Sequence, residues 1–440
     1  MVRRPLKSEI ALTVSFLIII SGVPIAQTCI QLRHGERAQF TDLFRYKPTE
    51  RNLRQFDQTL REDSWFEQRL RPWTQRFLFT VLGDTGSKAI MGREGWLFYR
   101  PDVRCLVEPD RPDTSDEGRW VEPAQGTYED SVVRAIVHFR DQLKVRGIEV
   151  MVMPVPGKPS IYPEKLSRMV GQDANPLSSP TLELIQKLSA HGVQVVDLFD
   201  RFNRARREKP GEDLYLAQDT HWTPVGAKIA AEALAEKLRS LGWAPARTVD
   251  FTFRRLRVRR YGDILEMIVP LSSQDQTPYE DVECRQVLDS TGRSLTSFES
   301  ERPGTYRYPG GGASVLVLGD SFSRIYQERE PRSLGQLIDL ARVREAGNIR
   351  ADATAARLLP GSAGFPSQLA LSLEAPVDYI VSDGGASTDV RRTLATDPEI
   401  LEGKKVVVWE FVERDIQLGR SGWLDVPLPP ALGASASSGM

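Results

Sequence analysis

Cysteine and histidine are scarce in this chain, with three Cys and four His in 440 residues. No two cysteines form a C-x-x-C pair, so a zinc finger or a disulfide scaffold is excluded. A charge excess is missing too: 58 basic residues stand against 59 acidic ones, a formal charge of −1. A dedicated nucleic-acid binder carries a basic surplus, so no nucleic-acid partner is expected. There is no phosphate-cradling glycine motif and no internal repeat. Core-forming material is plentiful, with 40% hydrophobic and 27% charged residues, which excludes a disordered or fibrous chain. The length suits one large domain with additions.

The first conspicuous segment is apolar. No charged residue occurs from Ile10 to Leu32, and Arg3, Arg4 and Lys7 precede that stretch. Its length matches the roughly 30 Å hydrocarbon core at about 1.5 Å per residue. The basic flank puts the N-terminus in the cytoplasm. The rival is a cleaved signal peptide, but Pro24 occupies the first small position of a cleavage site before Ala26. The expectation is an uncleaved single-pass anchor over residues 1–33 in the inner membrane, with the remainder periplasmic. In that oxidising setting Cys105 and Cys284 either pair or remain two buried thiols.

Residues 34–86 are polar with aromatic and apolar positions at helical spacing, among them Phe56, Trp65, Trp73 and Phe77, which predicts a helical lead-in. A catalytic domain over residues 87–425 follows. Its opening MGREGWLFYR (Met91–Arg100) reads as a glycine turn and an aromatic strand. Helices are predicted at 131–145 and 180–191, and strands at 148–156 and 193–200. Three further apolar runs, Ala313–Ser323, Val377–Ala386 and Lys404–Asp415, continue the rhythm. Val- and Ile-rich strands alternating with helices predict an α/β fold with a central parallel sheet covered on both faces. Residues 244–312, with the basic run Arg254–Arg260, read as an irregular insertion, and 426–440 as a disordered tail.

Two motifs carry chemistry. In VLVLGDSFS a buried strand runs into Gly319-Asp320-Ser321, placing Ser321 at the carboxyl end of the sheet, where ligand sites form in such folds. An ordinary strand-to-helix turn with a capping serine would read the same way. In QDTHWTPVGAKIAAEALAEKL, Thr223 caps and Pro224 opens a helix to about Leu238, whose Ala227, Ala230, Ala231, Leu234 and Leu238 form one stripe. Asp219 and His221 lie on the loop just before it. A carboxylate on one imidazole nitrogen leaves the other free to take a proton from serine. The plainer alternative is a structural histidine beside a capping aspartate. His34, His138 and His191 have no such partner built in.

Taken together, Gly-Asp-Ser at a strand end and Asp-x-His before a helix resemble the SGNH hydrolase superfamily, with the two blocks in reversed order, as if circularly permuted. With GREGWLFY, DTHWTPVGA, LGDSFS and VVVWEFVERD in that order, roughly residues 85–417 resemble the alginate O-acetyltransferase family. The resemblance implies Ser321 as nucleophile, His221 as general base and Asp219 as its orienting acid. The Ser321 amide and one glycine of Gly384-Gly385 are the oxyanion candidates, and that glycine pair also reads as a plain turn. The superfamily's Gly-x-Asn-Asp block is absent, and Asn348 is the only asparagine after Ser321. Trp222 either stacks on a sugar or shields His221. Trp96, Phe98 and Tyr99 read as packing, and Lys158 and Tyr162 as a solvated loop within reach of substrate. Glu410 and Arg414 read as a structural ion pair, and Arg254–Arg260 as a solvated strand or an attractant for an anionic polymer.

The expected function is transfer of an acetyl group through a serine acyl-enzyme to hydroxyls of an extracytoplasmic polysaccharide. No metal or organic cofactor is needed. The resemblance implies a membrane-bound O-acyltransferase as the donor relay. The alternatives are a polysaccharide acetylesterase with the same triad, and a non-catalytic scaffold of a secretion complex.

Overall fold

The computed structural model describes residues 7–35, 37–38, 49, 74, 77–107, 128–170, 180–268, 280–295, 304–309, 311–328, 361–418 and 422–430. The chain divides into two compact units, one of residues 1–84 with 268–276, the other of 85–267 with 277–440. In the first, the described elements are the helix Lys7–Arg33 and a π-helical turn, Leu78–Leu82. The expected anchor falls within that helix. Among the described residues, however, no helix is long and apolar enough to cross a membrane, so the span is not borne out. The dense apolar run Ile10–Ile20 gives way to Ser21, Gly22, Pro24, Gln27 and Gln31, whereas a span takes about 20 predominantly apolar residues. Much of the helical lead-in expected over 34–86 lies outside the described residues, as does Asn348.

In the second unit, β1 (Ala89–Met91) and β2 (Leu97–Tyr99) form an antiparallel hairpin. The central sheet contains β3 (Glu149–Val155) and β4 (Gln194–Val195). A second hairpin pairs β5 (Thr252–Arg260) with β6 (Glu280–Leu288). The central sheet is completed by β7 (Thr305–Tyr306), β8 (Val315–Gly319), β9 (Val377–Val381) and β10 (Val406–Val412), in the order β4-β3-β10-β8-β9-β7. Five strands run parallel, but β7 lies antiparallel to β9, so the sheet is mixed and the purely parallel expectation is corrected. The connection from β7 to β8 is too short for the crossover a parallel neighbour needs, so β7 meets the edge antiparallel.

Alternation along the strands builds a core on each face. Met151, Met153, Val155, Val315, Val317 and Val408 join one cluster with the alanine stripe of helix Pro224–Ser240 and with Phe365 and Leu369 of helix Phe365–Leu373. Val150, Val152, Leu316, Leu318, Val407 and Trp409 join another with helices Tyr128–Lys144, Pro180–Ala190 and Asp389–Thr396. The result is three layers around one sheet. Thr223 caps helix Pro224–Ser240 as expected, its hydroxyl accepting from Gly226 N at 3.2 Å.

Three further expectations change. The strand predicted over 193–200 is two residues long, because the Asp197 side chain accepts from Phe199 N at 2.9 Å and starts helix Leu198–Glu208. The insertion read as irregular contains an ordered hairpin of nine facing pairs, with helix Asp263–Ile268 in the connection between its strands, Arg257 opposite Glu283 and Arg260 opposite Glu280. The tail is ordered at its start: Val426 is buried and Leu428 N donates to Gln142 Oε1 at 2.6 Å. Cys105 and Cys284 are buried and unpaired.

The middle of the sheet holds a carboxyl group. Glu410, fully buried on β10, accepts from Asp320 N at 3.2 Å and Ser323 Oγ at 2.6 Å through Oε2. These atoms fill the space beside Gly319, where a Cβ would run into Ser323 and Glu410, so only glycine fits. Burial, and then the charge of Asp320, push the Glu410 carboxyl well above the usual range. A folded state that holds this proton binds more protons than the unfolded chain above the ordinary carboxyl pKa. Stability therefore falls as pH rises through that window. Glu410→Gln keeps an oxygen for both donors. We predict that it folds and that its denaturation midpoint declines less than wild type between pH 5 and 9. The difference in slope is at most about 1.4 kcal/mol per pH unit, measured by urea titration.

Candidate active site

The carboxyl ends of β3, β10 and β8 converge, and the two sequence motifs meet there. Gly319 ends β8, Asp320 is the N-cap, and Ser321 opens the single turn Ser321–Arg324. Asp320 is completely buried and ties the turn to the sheet. Its Oδ1 accepts from Phe322 N at 2.7 Å and its Oδ2 from Val412 N, at the end of β10, at 3.0 Å. Burial raises the Asp320 carboxyl, against the opposing charges of Arg414 and His221. Ser321 is half-buried. Phe322, the next residue, packs on the His221 ring with centroids 4.9 Å apart, which brings the two motifs together.

On the other side, Asp219 Oδ1 accepts from His221 Nδ1 at 2.7 Å and from His221 N at 3.0 Å. This fixes the tautomer and leaves Nε2 buried with no hydrogen-bond partner among the described residues. Asp219 Oδ2 accepts from Arg260 Nε at 2.7 Å and Asp263 N at 3.1 Å. Thr220 Oγ1 donates to Asp263 Oδ2 at 2.6 Å and lies 3.1 Å from His221 Nδ1. Burial alone would raise the Asp219 carboxyl, but Arg260 and His221 outweigh it and hold it well below the usual carboxylate range. For His221, burial pulls downward, while Asp219 and then Asp263 more than reverse it, so the imidazole titrates above its ordinary 6.5. Burial, then the Asp219 charge, raise Asp263.

The loop carrying Asp219 is gripped from two directions. Lys158 is buried and its Nζ donates to the carbonyls of Leu216, Ala217 and Asp219 at 2.9, 3.0 and 2.9 Å. Burial brings its ammonium down to about 8. From the opposite direction Glu280, at the start of β6, accepts the amides of Ala217 and Gln218, each at 2.7 Å. Gly262 lies against Gln218 so closely that a Cβ would run into its carbonyl.

Several sequence readings are thereby corrected. Lys158 is neither solvated nor at a substrate surface, and Tyr162 is buried with its hydroxyl accepting from Leu214 N at 2.8 Å. Trp222 is fully buried, edge-on to Phe322 at 5.2 Å, so it shields the site and offers no platform to a sugar. Glu410 and Arg414 do not pair: Arg414 Nη1 binds Asp102 at 2.9 Å. Trp96 and Phe98 are core residues, and the Lys158 ammonium lies over their rings at 5.4 and 5.1 Å. The Gly384-Gly385 turn follows β9 beside the Ser321 turn, joined to it by Ser382 N donating to Gly319 O at 3.0 Å and by the ion pair of Arg324 with Asp383. The Gly385 amide is committed to Ser382 O at 2.9 Å, and a Cβ at Gly385 would run into Ser382. From that pair, the Gly384 amide makes no hydrogen bond among the described residues.

Arg260, Asp263 and Glu280 are the site residues that sequence reasoning missed, because they belong to the segment read as irregular. The signal was there: RVRR and EDVEC carry opposite charges at facing positions of one hairpin. Asp219, His221 and Asp263 offer three donor atoms within 4.8 Å of one another. Both Asp219 oxygens and His221 Nδ1 are already hydrogen-bonded, and Arg260 supplies the balancing charge. The donor set therefore functions as a hydrogen-bonded network, and no metal is assigned to it.

The probable alginate O-acetylase AlgJ of Pseudomonas fluorescens is 28% identical over 239 residues, 53% of this chain and 53% of that protein. The alginate biosynthesis protein AlgX of Pseudomonas aeruginosa is 32% identical over 110 residues, 24% of this chain and 22% of that one. The chain spans about half the length of the first of these relatives. Among solved structures, the O-acetyltransferase domain of Pseudomonas putida AlgJ aligns with a TM-score of 0.49 at 20% identity, over 75% of this chain and 92% of that one. The family described as the SGNH hydrolase-like domain of the acetyltransferase AlgX matches residues 89–339, more than half of the chain. With its Asp-x-His loop and its Gly-Asp-Ser turn brought to one end of a mixed α/β sheet, this chain belongs to that SGNH hydrolase-like AlgX acetyltransferase family.

Proposed function

We propose that the chain is a polysaccharide O-acetyltransferase working through a Ser321 acyl-enzyme. The observation that carries the reading is the state of His221: Nδ1 is held by Asp219 at 2.7 Å, while Nε2 is buried, unpartnered and on the ring that packs against the residue after Ser321. Such a nitrogen is poised to take a proton. In the proposed reaction Ser321 Oγ attacks the acetyl carbonyl of the donor, its proton passes to His221 Nε2, and Asp219 stabilises the imidazolium. The imidazolium returns that proton to the departing donor group. A sugar hydroxyl then attacks the acyl-enzyme and gives its proton to the same nitrogen, and that proton passes to Ser321 Oγ as its bond to the acetyl group breaks, which restores both residues. The Ser321 and Gly384 amides make no hydrogen bond among the described residues, which supports them as oxyanion donors.

The relatives named for alginate support an exopolysaccharide acceptor. A membrane-bound O-acyltransferase as donor relay belongs to the same proposal, since this chain has no phosphate-cradling glycine motif for acetyl-CoA. The charge-free stretch Ile10–Leu32 behind Arg3, Arg4 and Lys7 supports an extracytoplasmic setting with the N-terminal segment as anchor or signal. The order of the motifs, His221 before Ser321, supports a circularly permuted arrangement of the superfamily fold.

The test incubates the full chain with an activated acetyl ester and a panel of oligosaccharides, with acetylated sugar and free acetate measured by mass spectrometry. Acetylated sugar that is lost in Ser321→Ala is the expected result, with turnover falling on the order of 10⁴–10⁶. Acetate alone would instead mark an esterase, and equal inertness of both proteins would mark a scaffold. Asp219→Asn should lose on the order of 10⁴ in kcat, because the imidazole tautomer is no longer fixed. The base must be neutral to act, and His221 titrates above its ordinary 6.5. Wild-type kcat/KM should therefore decline as pH falls through a midpoint above 6.5, read from the acid limb of the pH–rate profile.

A further inference from the structure

The reaction above leaves the groups behind Asp219 without a role. We propose that Arg260 is a positioning residue of the site, holding Asp219 Oδ2 from the end of the β5–β6 hairpin so that Oδ1 is directed at His221 Nδ1. The inference rests on the reading of His221 as the general base and deepens it. The Arg260–Asp219 pair is almost closed to solvent, with side-chain exposures of 10% and 0%. Its 2.7 Å contact and the 3.1 Å bond from Asp263 N saturate the oxygen that faces away from the imidazole.

The placement of Arg260 is not incidental to the hairpin. The same short region supplies Gly262, packed against Gln218, and Asp263, whose Oδ1 accepts from Thr220 N at 2.7 Å. Glu280, the residue facing Arg260 across the hairpin, accepts the two amides that precede Asp219. The hairpin therefore fixes the Asp219 loop at four consecutive positions, 217 to 220. A segment that did nothing but fill surface would have no reason to grip that loop so closely.

The charges around the imidazole give the proposal a sign. Asp219 at 2.7 Å and Asp263 at 3.5 Å face His221 Nδ1, and Arg260 stands behind Asp219. Asp320 acts on His221 from the turn after β8, and Lys158 and Glu280 act on Asp219 from the two sides of its loop. Arg260 thus does two things: it keeps Asp219 a carboxylate in a fixed orientation, and it opposes the imidazolium. Loss of its charge lets the imidazolium form more readily, while loss of its planar fork lets the carboxylate turn.

The experiment follows the His221 imidazole in the full chain by NMR with labelled histidine, its signal assigned as the one missing in His221→Gln. It is paired with the pH–rate profile on an activated acetyl ester. In Arg260→Gln the His221 midpoint and the acid limb of the rate should both move to higher pH, with kcat down on the order of 10² from misplacement of the base. Arg260→Lys should return the midpoint towards wild type and restore only part of kcat. Asp263→Asn should move the midpoint the opposite way, to lower pH. Arg255→Gln, which breaks only the exposed 3.1 Å pair with Glu283, should change neither. An unmoved or lowered midpoint in Arg260→Gln would overturn the proposal, however low its activity. Should that variant not fold, the signs in Arg260→Lys and Asp263→Asn decide in its place. The titration needs no turnover, so an active Ser321→Ala would refute the acyl-enzyme reading while leaving the role of Arg260 standing.

Discussion

A carboxylate removed from water must find compensation for its lost hydration, and Asp219 is the place in this molecule where that requirement is strictest. It is completely buried and accepts four hydrogen bonds, two from His221 on one oxygen and one each from Arg260 and Asp263 N on the other. An isolated buried charge costs several kcal/mol. The chain meets that cost by bringing a hairpin from 41 residues downstream to the back of the loop, a separation given by the Arg260 contact. Much of the rest follows from this placement. The loop must be held, hence Lys158 and Glu280; the hairpin must be rigid, hence its nine facing pairs.

The Ser321 side is stiffened by a different device. Asp320 joins the turn after β8 to the end of β10, and the Glu410 carboxyl fills the space that Gly319 leaves empty. Serine and histidine are thus carried on separately braced supports that meet through Phe322. A site built in this way has its geometry before substrate arrives, which is how orientation lowers a barrier without reorganisation during the reaction.

The buried strands and the capped helix were legible because their signals are local. Val and Ile runs bounded by turns gave β3, β8, β9 and β10, and Thr223-Pro224 marked the start of a helix where the structure places one. Asp219, His221 and Ser321 were legible as residue types at a strand end and a helix start. What escaped was non-local. The hairpin β5–β6 alternates charge with apolar residues so densely that its first strand alone reads as a solvated basic strand in an irregular insertion, and its pairing appears only when both strands are set side by side. Lys158 sits in a Gly-Pro-rich segment that looks solvated, and nothing in sequence tells that three carbonyls 58 to 61 residues away surround its ammonium. The strand predicted over 193–200 failed because one side-chain cap at Asp197 outcompeted an apolar run.

The Lys158 ammonium has one more meaning under the proposed acyl chemistry. Amines are better acyl acceptors than alcohols, so a free lysine amine would compete with a sugar hydroxyl for the acyl group. Only a neutral amine, with its lone pair free, can attack. Burial brings the ammonium down to about 8, against the opposing charges of Glu280 and Asp219. The three carbonyls each accept one N–H, so all three donors of the ammonium are used. Buried and tied by the contacts that shape the loop, this side chain would be withheld from an acyl group in the proposed reaction.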